Sequence, residues 1–172
     1  ISFDLSGNDS DGDSLSGNTV ASAQLKVMTL ANVSGFVSQT ADTNDEIYIC
    51  KRSNFTDTNI TANSNYNDLD GWVSSGTYNG NVTTYGNFTQ AAGATITTDL
   101  NATAVSDINT QISAGGKLMI GLLTEDDFLE SSELGTVSSQ NLEGIRIETS
   151  ETLLGNSAKP TLILTYGASG YS

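Results

Sequence analysis

The chain has 172 residues, 20 of them acidic and 6 basic, with a formal net charge of −14, one cysteine and no histidine. That length suits one domain with a well-filled core, and the acidic surface it implies repels phosphate backbones and anionic lipid heads, excluding nucleic acid and membrane surfaces as expected partners. The missing histidine and single cysteine exclude Ser-His-Asp and Cys-His nucleophile systems, His-ligated zinc, thiolate metal sites and an intrachain disulfide.

Only 15% of residues are charged, against about 25% in typical soluble proteins. Ser, Thr, Asn and Gly carry the polarity instead. These residues compete for backbone hydrogen bonds inside helices, and Thr suits a pleated sheet, so the class is all-β.

Ile1 to Leu5 alternates, with Ile1, Phe3 and Leu5 on one face, and reads as a strand already under way. Residues upstream of Ile1 are therefore expected to have been cleaved, disordered or left out. Residues 6–17 form a loop of turn formers. Val20 to Leu30 is the second strand, and a slip in its alternation at Met28 reads as a bulge. Glu46 to Arg52 is the third, with Cys50 a small buried hydrophobe.

From Ser53 to Gly93 polar residues dominate, but aromatics recur, and a forty-residue structureless loop is unusual in a compact domain. Short turns pinned by those aromatics are expected, with Tyr66 to Trp72 a helical turn ending at Gly71. Thr95 to Leu100 is a short strand. Val105, Ile108 and Ile112 recur at helical spacing, with Ser106 and Asp107 as cap-like residues and Gly115 closing the helix.

Lys117 to Leu123 is the most apolar run of the chain. Bounded by turn residues, with almost no polar position, it reads as a strand covered on both sides. Gly144 to Glu148 alternates, and Thr161 to Tyr166 is the last strand, with Pro160 where a missing amide is tolerated. No run approaches the roughly 20 apolar residues of a membrane helix. The expected architecture is a single-domain β-sandwich of jelly-roll type over residues 1–166, with one short helix and a tail at 167–172.

Several segments share one known pattern. Phe3-Asp-Leu-Ser6 followed by Val20-Ala-Ser-Ala-Gln-Leu-Lys-Val27 resembles the opening of DNRLRE-type β-sandwich domains. Thr97 to Ile112 with Gly115 to Leu122 is similar to that family's strand, helix and buried strand. Lys159-Pro-Thr-Leu-Ile-Leu-Thr-Tyr166 is similar to its closing strand. The middle, from Ile49-Cys-Lys-Arg-Ser53 through Asn67-Asp-Leu-Asp-Gly-Trp72 to Val82-Thr-Thr-Tyr85, resembles virion-associated proteins of tailed phages. The chain departs from the family in lacking strands before Phe3 and in its longer acidic loop at Asn8 to Asp13. The resemblance implies a non-enzymatic structural or decoration protein on a virion surface, acting through contacts with other protein subunits. Without the early strands, an open sheet edge awaits completion by a neighbouring subunit or by residues upstream of Ile1.

Two sets of residues invite a ligand. Asp9, Asp11 and Asp13 alternate around Gly12, and calcium takes such hard oxygen ligands. An EF-hand counted from Asp9 needs Gly and Glu where the chain has Ser14 and Val20, so a solvated acidic loop is the plainer reading. Trp72, Tyr66, Tyr78 and Tyr85 could form a sugar-stacking platform, or simply pin a long loop. A carbohydrate-binding module of an extracellular protein is therefore the alternative function, and a surface-layer or filament subunit a third. No cofactor other than calcium is suggested.

Overall fold

The structure is a computed structural model, and it describes residues 1–29, 46–52, 68–72, 81–89, 93–124, 128, 147 and 159–167. Seven strands and one helix lie within them. In chain order these are β1 (Ser2–Asp4), β2 (Val20–Met28), β3 (Glu46–Lys51), β4 (Thr84–Thr89), β5 (Thr95–Asp99), α1 (Ala102–Ala114), β6 (Lys117–Thr124) and β7 (Thr161–Tyr166). They form two antiparallel sheets, one ordered β1-β6-β3-β4 and the other β5-β2-β7. Only β3 and β4 follow each other in one sheet; every other step along these strands changes sheet.

Apolar alternation explains how the sheets share a core. Ala23, Leu25 and Val27 of β2 point one way and join a cluster with Ile47 and Ile49 of β3 and Leu118 and Ile120 of β6. Leu162, Leu164 and Tyr166 pack against it from β7. Leu5 and Leu15, on either side of the acidic loop, plug the same core.

The apolar run of β6 is covered on both faces, as its composition requires. Leu118, Ile120 and Leu122 belong to the shared core, whereas Leu123 joins a second cluster with Cys50, Leu69 and Val82. Tyr48, Trp72 and Phe128 pack around that cluster, and the Tyr48 and Phe128 rings stack 4.0 Å apart. Gly121 makes room for this cover: a Cβ there would collide with the Leu69 side chain.

Helix α1 begins earlier than Ser106 and Asp107 suggest. Asn101 is the N-cap, and its Oδ1 accepts the Ala104 amide at 3.0 Å, satisfying one of the first-turn donors. Gly115 does end the helix, in the left-handed conformation at φ 61°. Ala104, Ile108 and Ile112 lie one turn apart and are buried. The helix packs on β2, β6 and β4 and so closes one side of the space between the sheets.

Other expectations need correction. The irregularity in β2 falls between Val20 and Ser22, not at Met28. Residues 84–89, expected as turns, are strand β4, whose pairing shifts between Ile49 and Cys50 so that Tyr85 is the extra residue of a bulge. Leu69 is bridged to Arg52, and Trp72 closes a tight turn on the Leu69 carbonyl through Gly71 at φ 87°. Of the strand expected at 144–148, only Ile147 lies among the described residues, bridged to Thr29. Gly167, expected to open a tail, still donates to the Thr19 carbonyl.

Candidate functional site

The antiparallel pairing of β3 with β6 brings the end of one strand beside the start of the other. Lys51 pairs with Ile120, and the Arg52 amide donates to the Met119 carbonyl. Three of the chain's six basic residues, Lys51, Arg52 and Lys117, therefore converge at one end of the four-stranded sheet. Helix α1 lies alongside and contributes Asp107 and Gln111, four residues apart on one helical face. The turn before Trp72 contributes Asp70. Together they enclose a cleft of about 550 Å³ with Leu118 and Met119 in its lining.

Charge is balanced here, unlike over the chain as a whole. Lys51 Nζ meets Asp107 Oδ2 at 2.8 Å, and the Tyr85 hydroxyl donates to the same oxygen at 2.7 Å. Arg52 is held by Asp68 at 3.0 Å. Asp70 Oδ2 accepts from the Thr83 hydroxyl at 2.8 Å, and its backbone exchanges hydrogen bonds with Lys51 and Thr83. Burial raises the ionisation of Tyr85 well above that of an ordinary phenol, and its hydrogen bond to Asp107 raises it further. The hydroxyl is thus a fixed donor that holds the carboxylate in place.

Of the described residues singled out by sequence for a ligand, Tyr85 alone lines this cleft. Asp9 Oδ1 accepts the Asp11 and Asp13 amides at 3.0 and 2.9 Å, and the loop is pinched by a bridge between Asn8 and Ser14. Asp9 thus shapes the loop as a local turn of the kind Asp favours. Among the described residues, no three His, Cys, Asp or Glu side chains are grouped to hold a metal ion.

Tyr85 is 1% exposed; it is core, and its ring offers no face to a sugar, correcting its place in the aromatic platform. Trp72 is half-buried against the second cluster. Tyr66 and Tyr78 lie outside the described residues. Cys50 is buried and free, its thiol pushed up to about 12 by burial.

Sequence reasoning missed the cleft. The available signal was the scarcity of bases: with only six, the adjacent pair Lys51-Arg52 at one strand end and Lys117 at the start of another stand out. No helix among the described residues is long and apolar enough to cross a membrane. No family model, curated protein or solved structure matches the chain.

Proposed function

We propose that the protein is a non-enzymatic structural subunit on the surface of a virion or comparable particle, held there by contacts with other protein subunits, and that its two sheets are the layers of a jelly-roll-type sandwich. The observation that carries this reading is the outer edge of β1. Ile1 and Ile120 exchange two backbone hydrogen bonds, and the Leu5 amide donates to the Gly116 carbonyl. Antiparallel alternation then turns the backbone groups of Ser2 and Asp4 away from β6. Among the described residues β1 pairs with β6 alone, and an edge of this kind accepts a strand from another chain. The resemblance to virion-associated phage proteins and the alternation of strands between sheets support the same reading.

The test is assembly. Light scattering on the purified protein, and sedimentation with intact particles, should show oligomers or particle-bound copies. Ser2→Pro removes the outward donor while leaving the β1–β6 bonds, and should abolish association with little change in melting temperature. A protein that stays monomeric at every concentration and is absent from particles overturns the proposal.

A further inference from the structure

We propose that the cleft between α1 and the β3–β6 strand ends binds a neutral polyhydroxyl ligand, a sugar unit of an oligosaccharide. The volume of about 550 Å³ is that of a small-molecule site. Its polar groups are held in place yet keep hydrogen-bonding capacity. Asp107 uses Oδ2 for Tyr85 and Lys51, and Asp70 uses Oδ2 for Thr83. Neither Oδ1 has a hydrogen bond among the described residues, and nor does the Gln111 side-chain amide. Lys51 spends one of its three N–H donors on Asp107.

Acceptors and donors therefore sit side by side. A hydroxyl group, donor and acceptor at once, satisfies both, and several hydroxyls on one ring do so repeatedly. Met119, half-buried in the lining, offers an apolar patch to ring C–H groups.

The electrostatics select against charged ligands. An anion approaching the three cations must cross the field of a chain carrying −14. A cation meets the like charges of Lys51, Arg52 and Lys117, which outnumber Asp70 and Asp107 in the lining, and Asp107 is already paired with Lys51. A neutral ligand meets neither obstacle. This site differs from the aromatic platform suggested by sequence, since it needs no stacking on Trp72. It is also independent of the β1 edge, so the assembly test and this one fail separately.

The experiment is titration calorimetry with cello-, malto-, manno- and galacto-oligosaccharides, with oligogalacturonate as the acidic counterpart and spermine as the cationic one. At least one neutral oligosaccharide should bind. Gln111→Ala, on the helix surface, and Asp70→Asn should each weaken it about tenfold, as expected for one lost hydrogen bond. Trp72→Ala should leave it unchanged. Should Asp70→Asn fold poorly, Gln111→Ala and Met119→Ala carry the test, with circular dichroism confirming the fold. No binding by any neutral oligosaccharide, stronger binding of oligogalacturonate or spermine, or loss of binding in Trp72→Ala but not Gln111→Ala overturns the proposal.

Discussion

Tyr85 donates its phenolic hydrogen to Asp107 Oδ2 across 2.7 Å, and Lys51 reaches the same oxygen at 2.8 Å. One carboxylate thereby ties β4 and β3 to the helix. With Tyr85 only 1% exposed, the hydroxyl needs a partner inside the protein, and Asp107 supplies it. Burial, then this hydrogen bond, raises the Tyr85 ionisation above its ordinary 10.0. The unfolded chain therefore loses this proton first. The stabilisation is complete below pH about 10 and drains away above it. In a spectrophotometric titration of the six tyrosines, Tyr85 should stay protonated until the chain unfolds. Tyr85→Phe should remove that late component and cost about 1 kcal/mol at neutral pH. A Tyr85 that ionises with exposed tyrosines in the folded protein would count against this account.

Asn109 acts as a strand partner from within a helix. Its Oδ1 accepts the Val20 amide at 2.8 Å, and its Nδ2 donates to the Val20 carbonyl at 3.0 Å. The side chain reproduces a backbone pair and pins the start of β2 to α1. Asn109→Ala removes both bonds in a partly buried setting and should cost about 2–3 kcal/mol. Asn109→Asp keeps the acceptor but sets a carboxylate oxygen against the Val20 and Val105 carbonyls to which Nδ2 donates, so urea denaturation at neutral pH should rank it below Asn109→Ala. An Asn109→Asp protein more stable than Asn109→Ala would mean that the bond from the Val20 amide carries most of the effect.

Gly71 is the hinge of the cover over the outer face of the four-stranded sheet. Its φ of 87° disfavours any side chain, and a Cβ would collide with the Asn81 carbonyl oxygen. Gly71→Ala should therefore cost more than the roughly 1 kcal/mol of the backbone term alone. Trp72, the single tryptophan, follows directly and packs on the second cluster. Its emission should shift to the red in Gly71→Ala at temperatures where circular dichroism still reports intact sheets. Unchanged emission and stability would show that the turn accommodates the methyl group.

The sequence made some elements legible and hid others, and the difference is physical. Residues 117–123 and 161–166 carry apolar runs whose length and bounding turns leave one interpretation. Strand β4 was hidden because the bulge at Tyr85 places two buried side chains, Tyr85 and Phe88, three apart, which breaks period-two alternation. The start of α1 was hidden because Asn101 sits among residues with no apolar period, so its capping role shows only in the geometry. The cleft was hidden for a different reason. Asp70, Asp107 and Lys51 are far apart in sequence and meet only through the β3–β6 pairing and the packing of α1.

Cys50 offers a probe of how that cover opens. It is fully buried between β3 and the cluster of Leu69, Val82 and Leu123, and burial pushes its thiol from 9.0 to about 12. The raised value means that its stabilising contribution is whole below pH 9.0 and is lost as pH rises toward 12. A thiolate is the reactive species, so at pH 8 the native protein should resist Ellman's reagent, whereas the denatured chain should release one equivalent. Two routes expose the sulfur: global unfolding, or lifting of the 68–72 turn alone. If the turn opens by itself, labelling should outpace global unfolding, and Gly71→Ala should accelerate labelling by a larger factor than it accelerates global unfolding. If labelling tracks the unfolding rate in both proteins, the cover and the sheets form one cooperative unit.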